Sequence, residues 1–327
     1  MKVLFIGGTG IISSACTNLA IEKGIELYHL NRGISISKRN VTGVKQINAD
    51  IRNFEETQKI LKDYNFDAVV DWIAFTKEHI ENDIKLFTGK TKQFIFISSA
   101  SAYQTPPQHL PVSEKTPLEN PYWQYSRNKI ECENILMNAF KEKSFPVTIV
   151  RPSHTYDKTL LPLEGGYTIV DRMLKGKPVV VHGDGTSIWT LTHHKDFAVG
   201  LVGLLGKSKA LGEAYHITSN ELLTWNMIFD MVADAFGTTA QKVHITSQEI
   251  ANFDSEIGSS LLGDKTHSMI FDNAKIKSIV PEFNPQILFA EGIKEIAEWY
   301  KKNPENCITD PKIDALIEKL VTYKSKQ

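Results

Sequence analysis

A short apolar run, Val3-Leu4-Phe5-Ile6, breaks into Gly7-Gly8-Thr9-Gly10 and resumes at Ile11 with helical spacing as far as Lys23. This strand, glycine turn and helix constrain the fold more than any other feature of the chain. A strand that feeds a helix through so short a turn belongs to a βαβ unit, and such units build parallel sheets with helices on their faces. The rhythm continues downstream. Strand-like stretches at 26–30, 44–47, 68–73, 94–98 and 147–150 alternate with helical stretches at 54–63, 77–87 and 120–143. The strands are short and mostly apolar, as strands covered on both faces are. The fold class expected is α/β, with a doubly wound parallel sheet.

Beyond Arg151 the rhythm loosens. Pro152, Pro162, Gly165, Gly166, Gly183 and Gly185 punctuate loops, and helical stretches at 226–236 and 290–301 no longer alternate strictly with strands. The domain reading is a Rossmann-type cofactor-binding domain over 1–150 and a smaller interleaved C-terminal substrate-binding lobe over 151–327. A segment at about 186–200 is expected to return to the first domain, and the end from Lys319 reads as a helix end and solvated tail. Lysine plus arginine (37) nearly cancel aspartate plus glutamate (38). No global field therefore favours nucleic acid or an anionic membrane, although a local patch is left open. The three cysteines are sparse and lack metal spacing, which suits buried thiols in a reducing compartment. The N-terminal apolar run is too short for a signal peptide or a membrane span, so the cytoplasm is expected.

The glycine turn has the spacing G-x-x-G-x-x-S, closed by Ser13. Glycines there let the backbone approach a pyrophosphate, while the helix N-terminus presents N–H groups and positive partial charge. Ser13 stands where a third glycine would allow tight helix–strand packing, so a slightly looser contact is expected. Asn31-Arg32-Gly33 closes the second strand without the acidic residue that would bind the ribose hydroxyls of NAD. Arg32 is either a fork for the 2′-phosphate of NADP or a solvated loop arginine. The expectation is NAD or NADP, tilted towards NADP. Asp50-Ile51 ends the third strand, with Asp50 either on the adenine or capping the helix that follows.

Tyr125 and Lys129 lie one helical turn apart and form the only Tyr-x-x-x-Lys match in the chain. They follow a strand that ends in Ser98-Ser99. A phenol, an ammonium and a hydroxyl can together move a proton while a nicotinamide moves a hydride. A free tyrosine, with pKa about 10, is a poor base at neutral pH. Lys129 and a positively charged nicotinamide are expected to lower it.

Taken in order, Gly7-Gly8-Thr9-Gly10, Asp50-Ile51, Ser98-Ser99-Ala100-Ser101-Ala102-Tyr103, Tyr125-Ser126-Arg127-Asn128-Lys129 and Arg151-Pro152-Ser153 resemble the extended short-chain dehydrogenase/reductase superfamily. The likeness is to its NAD-dependent epimerase/dehydratase branch and spans roughly residues 1 to 300. Gly183-Asp184-Gly185, His193-His194-Lys195-Asp196 and Phe271-Asp272-Asn273-Ala274-Lys275 also match that branch. The Asn31-Arg32-Gly33 turn is similar to a subgroup that includes chloroplast stem-loop binding proteins. The resemblance implies Tyr125 as acid/base, Lys129 as its partner and ribose anchor, and Ser99 as the hydroxyl that orients substrate. Ser99 is chosen over Ser98 because the branch places that hydroxyl four residues before a tyrosine, here Tyr103. It further implies Gly7, Gly10, Ile11 and Ile12 at the pyrophosphate, and Asp50 and Ile51 at the adenine. Ala74 would lie under the nicotinamide half, with Pro152 and Ser153 near the carboxamide. Tyr156, Trp189 and His193 are the candidate substrate contacts. A homodimer through the helices at 77–87 and 120–143 is implied as well.

Three departures narrow the reading. Dehydratases of the branch carry an Asp-Glu pair directly after the catalytic hydroxyl, where this chain has Ala100-Ser101, so dehydration is not expected. The strand that usually ends His-Leu-Ala-Ala reads Asp71-Trp72-Ile73-Ala74. After Gly185 the arginine that grips a diphosphate is missing, and Trp189 stands there, either stacking on substrate or packed in the core. Adjacent His193 and His194 would face opposite sides of a strand, which argues against a metal pair. The function expected is hydride transfer at a hydroxyl or ketone of a sugar or nucleotide-sugar-like substrate, by an epimerase or reductase. The alternative is an RNA-binding or redox-sensing protein on the same scaffold.

Overall fold

The structure is a computed structural model that describes residues 1–33, 39 and 41–327. In chain order the first half runs β1 (Lys2–Ile6), α1 (Ile11–Glu22), β2 (Glu26–Asn31), β3 (Lys45–Asn48), α2 (Phe54–Ile60), β4 (Ala68–Asp71), α3 (Lys77–Phe87), β5 (Phe94–Ile97), α4 (Gln124–Lys143) and β6 (Val147–Pro152). The second half continues with β7 (His154–Tyr156), α5 (Tyr167–Leu174), β8 (Val179–His182), β9 (Ile188–Trp189), β10 (Leu191–His193) and α6 (His194–Leu204). Then follow β11 (Glu213–Ile217), β12 (Leu223–Thr224), α7 (Trp225–Ala235), β13 (Lys242–Ile245), α8 (Ser247–Phe253) and α9 (Ser255–Ser260). Helices α10 (Ala274–Ile279), α11 (Phe289–Lys302) and α12 (Pro311–Lys324) complete the chain.

Among the described residues one parallel sheet of seven strands dominates, in the order β11-β6-β5-β4-β1-β2-β3. Its order reverses between β1 and β4, the switch point at which doubly wound sheets bind ligands outside the strand C-termini. Alternation along the strands builds two cores. Val3, Phe5, Ile95 and Val150 point to the face covered by α1 and α6, while Leu4, Ile6, Phe94, Phe96 and Ile149 point to the face covered by α3 and α4. A third core, around Val181, Trp189, Ile228 and Ile296, belongs to the lobe.

The two halves interleave further than the sequence suggests. Helix α6 packs on α1, and β11 adds to the sheet beside β6, so the return runs on to Ile217. The expected terminal tail is mostly the helix α12, tied to the lobe by the buried Arg172, whose guanidinium donates to Glu318 at 3.0 Å and also to Asp314. Among the described residues no helix is long and apolar enough to cross a membrane.

Candidate active site

The glycine turn is held against the sheet at close quarters. Gly7 has φ +91°, and a Cβ there would meet Ile73 at 2.8 Å; a Cβ on Gly8 would strike the His29 ring at 2.2 Å. Only glycine lets the chain pass. Ser13 does not loosen this packing: its hydroxyl accepts from the Gly10 N–H at 2.7 Å and donates to the Gly7 carbonyl at 3.2 Å, clasping the turn shut. The turn borders a cavity of about 660 Å³ that is also lined by Asn31, Arg32, Asp50 and Ile51. Asp50 is not the helix cap, because Asn53 takes that place on the N–H of Glu56; Asp50 instead accepts from the Arg52 N–H at 3.0 Å. Glycines without room for side chains, exposed N–H groups at a helix start and a carboxylate at the rim suit a dinucleotide.

A second cavity, of about 360 Å³, lies at the C-terminal ends of β4, β5 and β6. Ser99, Tyr125 and Lys129 all line it, together with Ile12, Pro152, Ser153 and Trp189. Phe75 borders both cavities, so they adjoin.

Helix α4 supplies the centre through a stripe at four-residue spacing. Tyr125, Lys129 and Glu133 follow one another up a single face. Lys129 is buried, and its Nζ donates to the carbonyls of Ala74 at 2.7 Å and Ile97 at 2.8 Å. Ala74 thus acts through its carbonyl and lines neither cavity. The Ala74 turn is fixed by Asp71, whose Oδ1 accepts from the N–H groups of Ile73 (2.6 Å) and Ala74 (2.8 Å). Burial lowers the Lys129 ammonium to about 8, opposed in part by Cys132, Asp71 and Glu133. Beside Asp71, buried Asp83 has its carboxyl pushed well up, first by desolvation and then by the Asp71 charge.

Glu133 anchors the inner end of the stripe. It accepts from Ser98 Oγ at 2.5 Å and from Arg151 Nε at 2.9 Å, and Arg151 lies 4.7 Å from the centre of the Tyr103 ring. Ser98 is therefore committed to the core network. Ser99 is the hydroxyl placed beside Tyr125, within a chain of hydroxyls: Ser99 to Ser101 at 2.9 Å, and Ser126 to Ser101 at 2.8 Å.

Tyr125 sits between Trp123, with ring centres 4.8 Å apart, and Phe75, at 6.4 Å. Burial raises its phenol to about 12; the Ser99 hydroxyl pulls it down and the Asp264 charge pushes it up. The lowering expected from Lys129 is not supplied by the protein alone. The ammonium is turned to two carbonyls and stands 5.8 Å from the phenol ring centre, so desolvation prevails.

Trp189 is both core and cleft wall. It is 3 % exposed, lies beside Trp225, and its Nε1 donates to His154 at 3.1 Å. The structure does not bring Tyr156 and His193 to the cleft. Tyr156 is fully buried between His193 and Phe289, and His193 caps α6 beside Glu295. Ile11, at the start of α1, lines neither cavity. Three residues of this region escape a reading by motif: Glu133, Asp264 and Lys265. The four-residue period that links Tyr125 to Lys129 reaches Glu133, which was the signal available for it. Asp264 and Lys265 lie far along the chain in a π-helical turn (Leu261–Lys265) that no local pattern marks.

A family model for the NAD dependent epimerase/dehydratase family matches residues 3–218. The chain belongs to that family. It is 24% identical over 324 residues to a putative UDP-glucose 4-epimerase of Methanocaldococcus jannaschii, covering 92% of this chain and 99% of that one. It is 25% identical over 249 residues to the chloroplast stem-loop binding protein of 41 kDa b of Arabidopsis thaliana, covering 72% of this chain but only 63% of that protein's length. In three dimensions it is similar to the UDP-glucose 4-epimerase of Bifidobacterium longum solved with NAD+ and UDP, with a TM-score of 0.75 and 18% identity over 94% of this chain and 100% of that one.

Proposed function

We propose that the protein is an NAD-dependent epimerase that oxidises and re-reduces a hydroxyl-bearing carbon of a sugar-like substrate, with Tyr125 as its acid/base. The observation that carries this reading is convergence: Ser99 from the end of β5 and Tyr125 and Lys129 from α4 line one cleft beside Pro152 and Ser153. The bound cofactor supplies the hydride acceptor and donor. Ser99 holds the substrate oxygen, and Tyr125 takes its proton on oxidation and returns it on reduction. Lys129 spends two of its three hydrogens on Ala74 and Ile97, leaving the third for a ribose hydroxyl. A phenol that burial alone leaves protonated gains a working pKa from positive charge brought beside it.

NAD is taken as the resident cofactor. The family is NAD dependent and the Bifidobacterium longum epimerase was solved with NAD+, so the tilt towards NADP is not carried forward although Arg32 borders the larger cavity. Substrate roles for Tyr156 and His193 are likewise dropped, because both are buried and line neither cavity. Dehydratases occur among the relatives, for example a dTDP-glucose 4,6-dehydratase of Streptomyces antibioticus. The reading against dehydration here rests on Ala100 and Ser101. A homodimer through α3 and α4 belongs to the same proposal, and light scattering of the purified protein tests it.

Native mass spectrometry that finds co-purified NAD, followed by NMR of a sugar panel, tests the activity. An isomer accumulating with catalytic NAD is the expected result; NADH formed in step with product would replace the epimerase by a net oxidoreductase. RNA binding is the weaker reading, since charge is nearly balanced over the chain.

A further inference from the structure

The π-helical turn Leu261–Lys265 brings Asp264 and Lys265 to the cleft, and the proposed reaction gives Lys265 no role. Such turns interrupt regular hydrogen bonding and are frequent at functional sites. This one is pinned from three sides. Asn120 Nδ2 donates to the Gly263 carbonyl at 2.6 Å and to the Ser101 carbonyl at 2.9 Å, joining the turn to the serine loop. The Lys265 carbonyl accepts from Trp225 Nε1 at 3.2 Å and lies 3.1 Å from His182 Nε2. Gly263 lets the turn approach Trp123 so closely that a Cβ would lie 2.6 Å from the Trp123 Cβ.

The result of this clamping is a lysine aimed into the cleft. Lys265 is 9 % exposed, and its Nζ lies 5.7 Å from the centre of the Trp123 ring, whose other neighbour is Tyr125. The Lys265 ammonium is ion-paired at long range with Asp264 at 3.8 Å and Glu164 at 4.0 Å, both beyond hydrogen-bond distance, so an anion entering the cleft has to displace or outcompete these carboxylates. Among the described residues the ammonium makes no hydrogen bond, so its three donors are open to a partner that reaches the cleft. Lys129, the other cation lining the cleft, is committed to backbone carbonyls. A diphosphate calls for a guanidinium fork or several cations; Trp189 stands in place of such an arginine.

Resting on the reading that Tyr125 is the reacting end of this cleft, we propose that Lys265 receives a single anionic group, a carboxylate or a monophosphate, on the substrate. The anion lies about one indole away from the reacting carbon, with Trp123 forming the floor between them. The substrate class is then a small sugar acid or sugar phosphate, not a nucleotide diphosphosugar.

Calorimetric titration of the NAD-loaded protein with glucose, glucuronate, glucose 6-phosphate and UDP-glucose tests this, in the native protein and in Lys265→Met and Lys265→Arg. Glucuronate or glucose 6-phosphate is expected to bind at least about tenfold more tightly than glucose. Lys265→Met removes that difference while Lys265→Arg keeps most of it, and both retain the native melting temperature and NAD affinity. Which of the two anions wins separates carboxylate from phosphate. The proposal is overturned if the anionic preference survives in Lys265→Met, if UDP-glucose alone binds, or if neither anion binds at about millimolar concentration. Should Lys265→Met fold poorly, Lys265→Gln is read in the same way. Product formation is followed separately: Lys265-dependent binding without turnover keeps the anion site and removes the epimerase, whereas turnover of neutral sugars alone does the reverse.

Discussion

The hydroxyl of Ser98 donates to Glu133 at 2.5 Å, whereas that of Ser99, one residue on, stands beside Tyr125. In the proposed reaction, identical side chains on successive residues thus divide between structure and chemistry. Ser98→Ala should destabilise the fold by about 1–2 kcal/mol, by removing one buried charge-assisted hydrogen bond, and leave kcat nearly intact. Ser99→Ala should do the opposite, lowering kcat about tenfold to a hundredfold with little change in melting temperature. Equal effects of the two on kcat would mean that the division is wrong. Glu133→Ala is the harsher test of the network beneath. It strands the Arg151 guanidinium, 5 % exposed, and should cost about 3–5 kcal/mol in chemical denaturation.

At the scale of elements, the π-helical turn depends on a missing side chain. Gly263→Ala has to push Trp123 or the turn aside, since a Cβ there meets the Trp123 Cβ at 2.6 Å and Asn120 Oδ1 at 3.0 Å. A loss of about 1–3 kcal/mol in stability is expected, with a raised KM and unchanged NAD affinity, because the turn borders the smaller cavity, where substrate is proposed to bind, and not the glycine turn. A native KM would show that the turn does not shape the substrate site. The elements of the first half were legible in the sequence for a plain reason. Strands such as Phe94-Ile95-Phe96-Ile97 are apolar on both faces, and the glycines between β1 and α1 punctuate a local turn. The stripe from Tyr125 to Lys129 was legible because its period is helical. Asp264 and Lys265 were not, because what makes them part of the site is contact with Asn120, Trp123 and Trp225 from remote segments. His193 sat in a matching segment and Tyr156 just beyond one, yet both rings are buried, Tyr156 against Phe289 and His193 beside Glu295 of α11, away from the cleft.

For the molecule as a whole, the buried imidazoles set a limit on acid stability. Burial lowers His29, His182 and His193 to about 4. Each is neutral in the fold but takes up a proton on unfolding once the pH falls below its ordinary value of 6.5. Their contribution is therefore complete above 6.5 and is lost as the pH falls towards about 4. Buried Asp83 works in the opposite sense, because its raised carboxyl binds a proton in the fold that the unfolded chain releases. Desolvation lowers His154 and His194 in the same way and adds to the fall, while Asp264, raised to about 6, joins Asp83 in offsetting part of it. Urea unfolding at stepped pH should show stability falling steeply below pH 6.5; a flat profile down to pH 4 would mean that these rings are hydrated or open to solvent.

The proposed chemistry rests on one phenol, Tyr125, which lines the smaller cavity beside the one bordered by the glycine turn. The most direct test compares Tyr125→Phe with the native enzyme, measuring kcat on the best substrate of the sugar panel and NAD affinity by calorimetry on the same preparations. The expected result is a fall in kcat of at least about a hundredfold with NAD affinity unchanged. Turnover that survives the loss of the phenolic oxygen would contradict the assignment of Tyr125 as the acid/base.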